Sequence, residues 1–74
     1  MKEAGYEYMK LRGAIKGRFE NQAAFALAMG MTESTLSLKL NNKAEWSQDE
    51  MVKAMELINK PLDEIESYFF THKV

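Results

Sequence analysis

The sequence of 74 residues contains no cysteine, a single histidine and a single proline. Without cysteine there is no disulfide and no thiolate metal site, and a lone His72 excludes the usual His/Cys zinc clusters. No apolar run approaches the length of a transmembrane helix, and the N-terminus lacks the pattern of a signal peptide. We therefore expect one soluble, cytoplasmic domain over residues 1–74, with no metal, cofactor, small-molecule ligand or membrane contact.

Charge is distributed unevenly along the chain, although the net charge is only −1. Residues 1–43 have a balance of +3, whereas residues 44–74 have a balance of −4. The basic half favours a face that binds phosphate, because the distribution of charge matters more than its total. The alternative is that these charges only solvate the surfaces of helices.

Apolar spacing and capping residues predict an all-α, compact bundle of five helices, and no segment has the alternation of a strand. The first helix carries an apolar face of Leu11, Ile15 and Phe19. Asn21 caps the second, which runs to Met29, and Thr32 caps the third, which runs to about Leu40. A capping box from Ser47 to Glu50 opens the fourth helix, and Leu62, Ile65 and Phe69 mark a short fifth.

Residues 22–37 predict two short helices that meet at a sharp angle. Gly30 adopts positive φ at no steric cost, as the turn between the helices requires. Ala26 is small at the point where the second helix must approach the third. Because Leu36 and Leu40 are spaced i and i+4, we expect both to be buried and Leu38 to be exposed.

This stretch resembles the helix-turn-helix of phage repressors, Cro proteins and related XRE-like bacterial regulators. The matching positions are Gln22, Ala26, Gly30, Met31, Thr32, Leu36 and Ser37. The resemblance implies a lambda-repressor-like domain that places its third helix, about 33–40, in the major groove of double-stranded operator DNA and regulates transcription. The whole chain also resembles short phage- or prophage-encoded proteins of poorly defined role, and its acidic second half departs from the repressor pattern.

The resemblance also assigns individual residues to DNA contacts. Base readout falls to the outward positions of the third helix, Glu33, Ser34, Ser37 and Leu38. Contacts to the DNA backbone fall to Gln22, Lys39, Asn41, Asn42 and Lys43. Each assignment has a structural alternative: Glu33 suits the helix dipole, the serines keep a surface helix soluble, and Lys39 is solvated.

No nucleophile–base pair and no glycine-rich phosphate loop is present, so the sequence predicts a protein that is not an enzyme. Two functions remain open. The first is a sequence-specific, DNA-binding transcriptional regulator of the repressor or Cro type. The second is a protein-interaction module, such as an anti-repressor or host-takeover factor, that keeps the fold without strong DNA affinity. The acidic second half favours the second slightly.

A domain this small reads too few base pairs alone, which favours a homodimer on DNA. The expected contact consists of Tyr68 and Phe70, joined by Trp46, whereas Phe69 continues the apolar stripe of the fifth helix into the core. The alternative is that Phe70 folds over the protein's own core and that Trp46 packs at the entrance of the fourth helix.

Overall fold

The structure, a computed structural model, describes residues 5–72, and over this range it contains five α-helices and no strand. They are α1 (Met9–Arg18), α2 (Gln22–Met29), α3 (Glu33–Leu40), α4 (Gln48–Leu57) and α5 (Ile65–Phe69), with a short 3-10 turn (Leu62–Glu64) before α5. The prediction of an all-helical chain is confirmed for these residues. None of their helices has the length and apolar character that a bilayer crossing demands.

One apolar core joins the five helices. Its largest fully buried side chains are Leu11 and Ile15 of α1, Phe25 of α2, Leu36 of α3, Met55 of α4, Ile58 after α4, and Phe69 of α5. Burying a side chain of this size contributes about 1.5–3 kcal/mol, so such contacts dominate the stability of a short chain without disulfides. α2 packs against α1, α3 and α4, and α5 packs against α1 and α4.

Side-chain caps fix the starts of three helices. Asn21 Oδ1 accepts from the Ala24 N–H at 2.8 Å, and Thr32 Oγ1 accepts from the Thr35 N–H at 3.1 Å. At α4, Ser47 Oγ accepts from the Glu50 N–H at 3.1 Å, and Glu50 Oε1 accepts from the Ser47 N–H at 3.0 Å. The capping residues and the capping box predicted from the sequence are confirmed.

The segment after α3 holds the N-terminal segment in place. Asn42 has a φ of 62°, and its side chain accepts from the Tyr6 N–H at 3.2 Å and donates to the Tyr6 carbonyl at 2.5 Å. Tyr6 also forms an isolated antiparallel bridge with His72, and the Glu7 N–H donates to the Thr71 carbonyl at 2.9 Å. Both ends of the described chain therefore meet beside the end of α3.

Candidate interaction surface on α3

A sharp turn sets the angle at which α3 leaves α2. Gly30 ends α2 with a φ of 81°, as predicted, and the N–H groups of Gly30 and Met31 donate to the carbonyls of Leu27 and Ala26 at 3.0 Å each. A Cβ added at Gly30 meets no atom within 4 Å, so the backbone angle, and not space, calls for glycine here. Thr32 then caps α3 two residues later.

The outward face of α3 consists of Glu33, Ser34, Ser37 and Leu38, which we call the α3 face. These are the four residues predicted to read DNA bases, and all four are exposed. Leu36 and Leu40 are buried on the opposite side, whereas Leu38 is 46% exposed, as the spacing predicts. The structure thus brings the predicted readout residues together on one surface with a single charge, that of Glu33.

Lys39 does not join this surface, and its predicted role as a DNA-backbone contact is corrected. Its side chain turns inward, where Nζ pairs with Glu50 Oε1 at 3.0 Å and donates to the Glu45 carbonyl at 2.7 Å. Lys39 shares the stripe of Leu36 and Leu40 at i, i+3 and i+4, and this stripe faces the core. The alternative of a solvated Lys39 is also wrong, because the residue is buried.

The other predicted backbone contacts lie at both ends of the α2–α3 pair. Gln22 is half-buried at the start of α2, and Lys43 is exposed beyond α3. Asn41 and Asn42 are exposed, but their side chains have internal partners. Asn41 Nδ2 donates to the Ser37 carbonyl at 2.8 Å, and Asn41 Oδ1 accepts from Arg12 Nη2 at 3.2 Å. Their observed role is therefore to close α3 and to hold the N-terminal segment.

The electrostatics of this region centre on Glu50. Burial alone would raise the pKa of the Glu50 carboxyl, but hydrogen bonds from Ser47 and Lys39, together with the Lys39 charge, outweigh it and lower this pKa below its usual value. One carboxylate therefore serves both the cap of α4 and the ion pair to α3. This pair removes the charge of Lys39 from the surface next to the α3 face.

The residues predicted to form a dimer contact separate into two kinds. Trp46 and Tyr68 are buried in the core, so their predicted role as an exposed contact is corrected. The alternative for Trp46, packing at the entrance of the fourth helix, agrees with its burial. Tyr68 lies beneath α1, with Lys10 Nζ 4.9 Å from the centre of its ring. Phe70 is 39% exposed, and its ring packs edge to face on the ring of Tyr6, with the ring centroids 5.7 Å apart. Phe69 is buried, as predicted.

Leu27 is an exposed apolar residue outside the site predicted from the sequence. It is 80% exposed on α2, whereas Phe25, Ala26 and Met29 of the same helix are buried. Helical periodicity could have predicted this exposure, because a helix that buries positions 25, 26 and 29 turns position 27 outward. Among residues 5–72, no group of three or more His, Cys, Asp or Glu side chains is arranged to hold a metal ion.

Comparison with known proteins assigns the chain to a sequence family. The sequence model of the family described as "Protein of unknown function (DUF739)" matches residues 4–72. The chain belongs to this family. No curated protein sequence matches the chain.

A solved structure is also similar to the chain over most of its length. This is the solution structure of the modulator of repression (MOR) of the temperate bacteriophage TP901-1 from Lactococcus lactis, which is 42% identical in sequence with a TM-score of 0.78. The match covers 89% of this chain and 89% of the phage protein. The expected similarity to phage-encoded proteins agrees with this match, and the matched protein is described as a modulator of repression.

Proposed function

We propose that this protein modulates transcriptional repression in a temperate phage or prophage, and that it acts by binding another regulatory protein through the α3 face. The regulatory role is supported by the similarity to the phage modulator of repression over 89% of both chains. The choice of protein over DNA rests on one observation, which is that the α3 face carries no basic side chain.

The composition of the α3 face suits a protein partner. Leu38 is exposed beside Ser34 and Ser37, and Glu33 supplies the only charge on this face. Protein interfaces combine an apolar centre with a polar rim and few charges at the centre. DNA binding draws instead on Lys and Arg contacts to phosphates, and the pairing of Lys39 with Glu50 removes one such residue from α3.

The test measures the occupancy of an operator by the repressor of the phage that carries this chain. Wild-type protein is expected to change that occupancy when it is added to the repressor–operator complex. Leu38→Glu should abolish the effect, because a buried unpaired charge at an interface is costly. Leu27→Glu is the matched control, since it adds the same charge at an exposed leucine outside the α3 face. Equal activity of the wild type and Leu38→Glu would contradict the proposal.

Direct operator binding is the second candidate, favoured by a specific feature of α3. Its outward side chains near the cap, Ser34 and Ser37, are short and polar, and they follow a turn of the kind that the repressor resemblance implies. In this mechanism Gln22 and Lys43 would contact phosphates, and a homodimer would use Phe70, the exposed member of the predicted contact.

Selection from a random duplex pool separates the two candidates. Operator binding predicts an enriched motif that changes when Ser34 and Ser37 are both replaced by Ala, while Lys43→Gln weakens all duplexes evenly. Protein binding predicts that no motif is enriched, at low or at moderate salt. The α3 face would then act on the repressor and not on the operator.

A further inference from the structure

Two neighbouring clefts flank the exposed ring of Phe70. The first, of about 350 Å³, is lined by five aromatic residues, Tyr6, Tyr8, Trp46, Phe69 and Phe70, together with Gly5, Asn42, Ala44, Glu45 and Met51. The second, of about 470 Å³, lies between α4 and α5 and is lined by Met51, Val52, Ile65 and Phe70, with Gln48 and Asp49. Met51 and Phe70 belong to both clefts. Together they form one surface with two depressions, of which the second is mainly apolar and the first exposes polar and apolar atoms in similar amounts. None of the lining residues belongs to the α3 face.

The charges on this surface all have one sign. Glu45 borders the first cleft and Asp49 borders the second, both are exposed, and no lysine or arginine lines either cleft. Lys39 lies close to Glu45, but its ammonium group is paired internally with Glu50. The surface therefore combines aromatic and aliphatic side chains in its depressions with a negative rim.

We propose that these two clefts form a second docking surface, which binds a segment of another protein whose apolar side chains are flanked by lysine or arginine. Apolar side chains would fill the depressions on either side of Phe70, and the basic residues would meet Glu45 and Asp49. A second copy of this chain fits less well, because two such surfaces would bring carboxylates face to face. This surface and the α3 face would allow the protein to contact two partners.

Trp46 makes the proposal directly measurable. It is the only tryptophan in the sequence, and it lines the first cleft. Tryptophan emission therefore reports on the surroundings of this cleft in the folded protein. The probe is a short amphipathic peptide of leucine and lysine without tryptophan, with a leucine–glutamate peptide of the same pattern as the control.

We expect the leucine–lysine peptide to change Trp46 emission saturably and the leucine–glutamate peptide to leave it unchanged. Phe70→Ser should weaken binding by about tenfold or more, as loss of a central aromatic contact does. Leu62→Ser is the matched control, because Leu62 is 47% exposed on the adjacent 3-10 turn but lines neither cleft. Circular dichroism of each variant separates loss of binding from loss of fold.

A second pair of variants tests the negative charges of Glu45 and Asp49 at the clefts. Replacing Glu45 by Gln together with Asp49 by Asn should weaken binding by about two- to fivefold, with a smaller effect at high salt. Replacing Asp63 by Asn together with Glu64 by Gln changes the net charge equally outside the clefts and should have no effect. Equal binding of both peptides, or undiminished binding to Phe70→Ser and to the cleft charge variant, would overturn the proposal. Trp46 emission that depends on protein concentration without peptide would also overturn it, in favour of self-association.

Discussion

The pairing of Lys39 with Glu50 gives the sharpest prediction about stability. The pair links the last turn of α3 to the first turn of α4, and Lys39 Nζ also donates to the Glu45 carbonyl between them. The Lys39 side chain is 11% exposed and that of Glu50 is 30% exposed. The pair is therefore intermediate between a surface ion pair, worth about 0.2–1 kcal/mol, and a buried one, whose disruption costs about 3–5 kcal/mol.

We expect Lys39→Met to lower the free energy of unfolding by about 1–2 kcal/mol. Methionine keeps the packing of the aliphatic stem, and Glu50 keeps its Ser47 partner and some solvent, so the full penalty of a buried orphan charge does not apply. Lys39→Ala should cost about 1 kcal/mol more, since it also removes the stem. For a domain of this size, 1 kcal/mol corresponds to about 4–8 °C in Tm.

The assay is a double-mutant cycle of Lys39→Met and Glu50→Gln, measured by urea unfolding with Trp46 fluorescence. A coupling energy of about 1 kcal/mol is expected at neutral pH. The pKa of Glu50 is lower in the folded state than its ordinary value of 4.5. The ionised carboxylate therefore contributes fully to the free energy of unfolding above pH 4.5, and this contribution is lost as the pH falls through the folded-state pKa. A coupling near zero at neutral pH would refute the argument that Glu50 holds Lys39 inward.

Three further predictions concern the turn, the N-terminal segment and the core. Gly30→Ala should cost about 1 kcal/mol because φ is 81°, and Gly30→Val should cost more since its side chain is stiffer, as thermal unfolding will report. Asn42→Gly keeps the positive φ but removes both hydrogen bonds to Tyr6, so hydrogen exchange at the Glu7 amide should accelerate while the core amides stay protected. Phe69→Ala should cost about 3–5 kcal/mol by denaturant unfolding and Phe70→Ala much less, because the first is buried and the second is 39% exposed.

Local signals predicted most of the α2–α3 pair. The cap residues Asn21 and Thr32 and the turn at Gly30 each act within a few residues, so the bounds of α2 and α3 follow from the sequence. The same holds for Leu38, whose exposure follows from its position between two buried leucines on a helix. These features need no knowledge of distant parts of the chain.

The errors concern residues whose surroundings are set by distant contacts. Lys39 carries a positive charge, and charged side chains usually lie at the surface. Its position on the inner stripe of α3 and its ion pair with the Glu50 carboxylate of α4 hold it inside. The dimer hypothesis needs Tyr68 and Trp46 at a surface beside Phe70, whereas the alternative for Trp46 is packing at the entrance of the fourth helix. Packing of α5 between α1 and α4 buries them instead. The sequence feature that predicts the inward position of Lys39 is its helical spacing with Leu36 and Leu40.

The burial of Lys39 bears on function as well as on stability. The affinity of a protein for duplex DNA rises with the number of phosphates that it neutralises, and repressors with strong salt dependence make about 6–10 such contacts. Within residues 22–43, Lys39 and Lys43 are the only basic side chains, and the structure leaves Lys43 alone at the surface. The α2–α3 pair would thus neutralise about one phosphate per protomer, and any tighter duplex binding would have to draw on basic residues outside this pair. The ion pair that joins α3 to α4 is therefore also a reason to seek the partner of the α3 face among proteins.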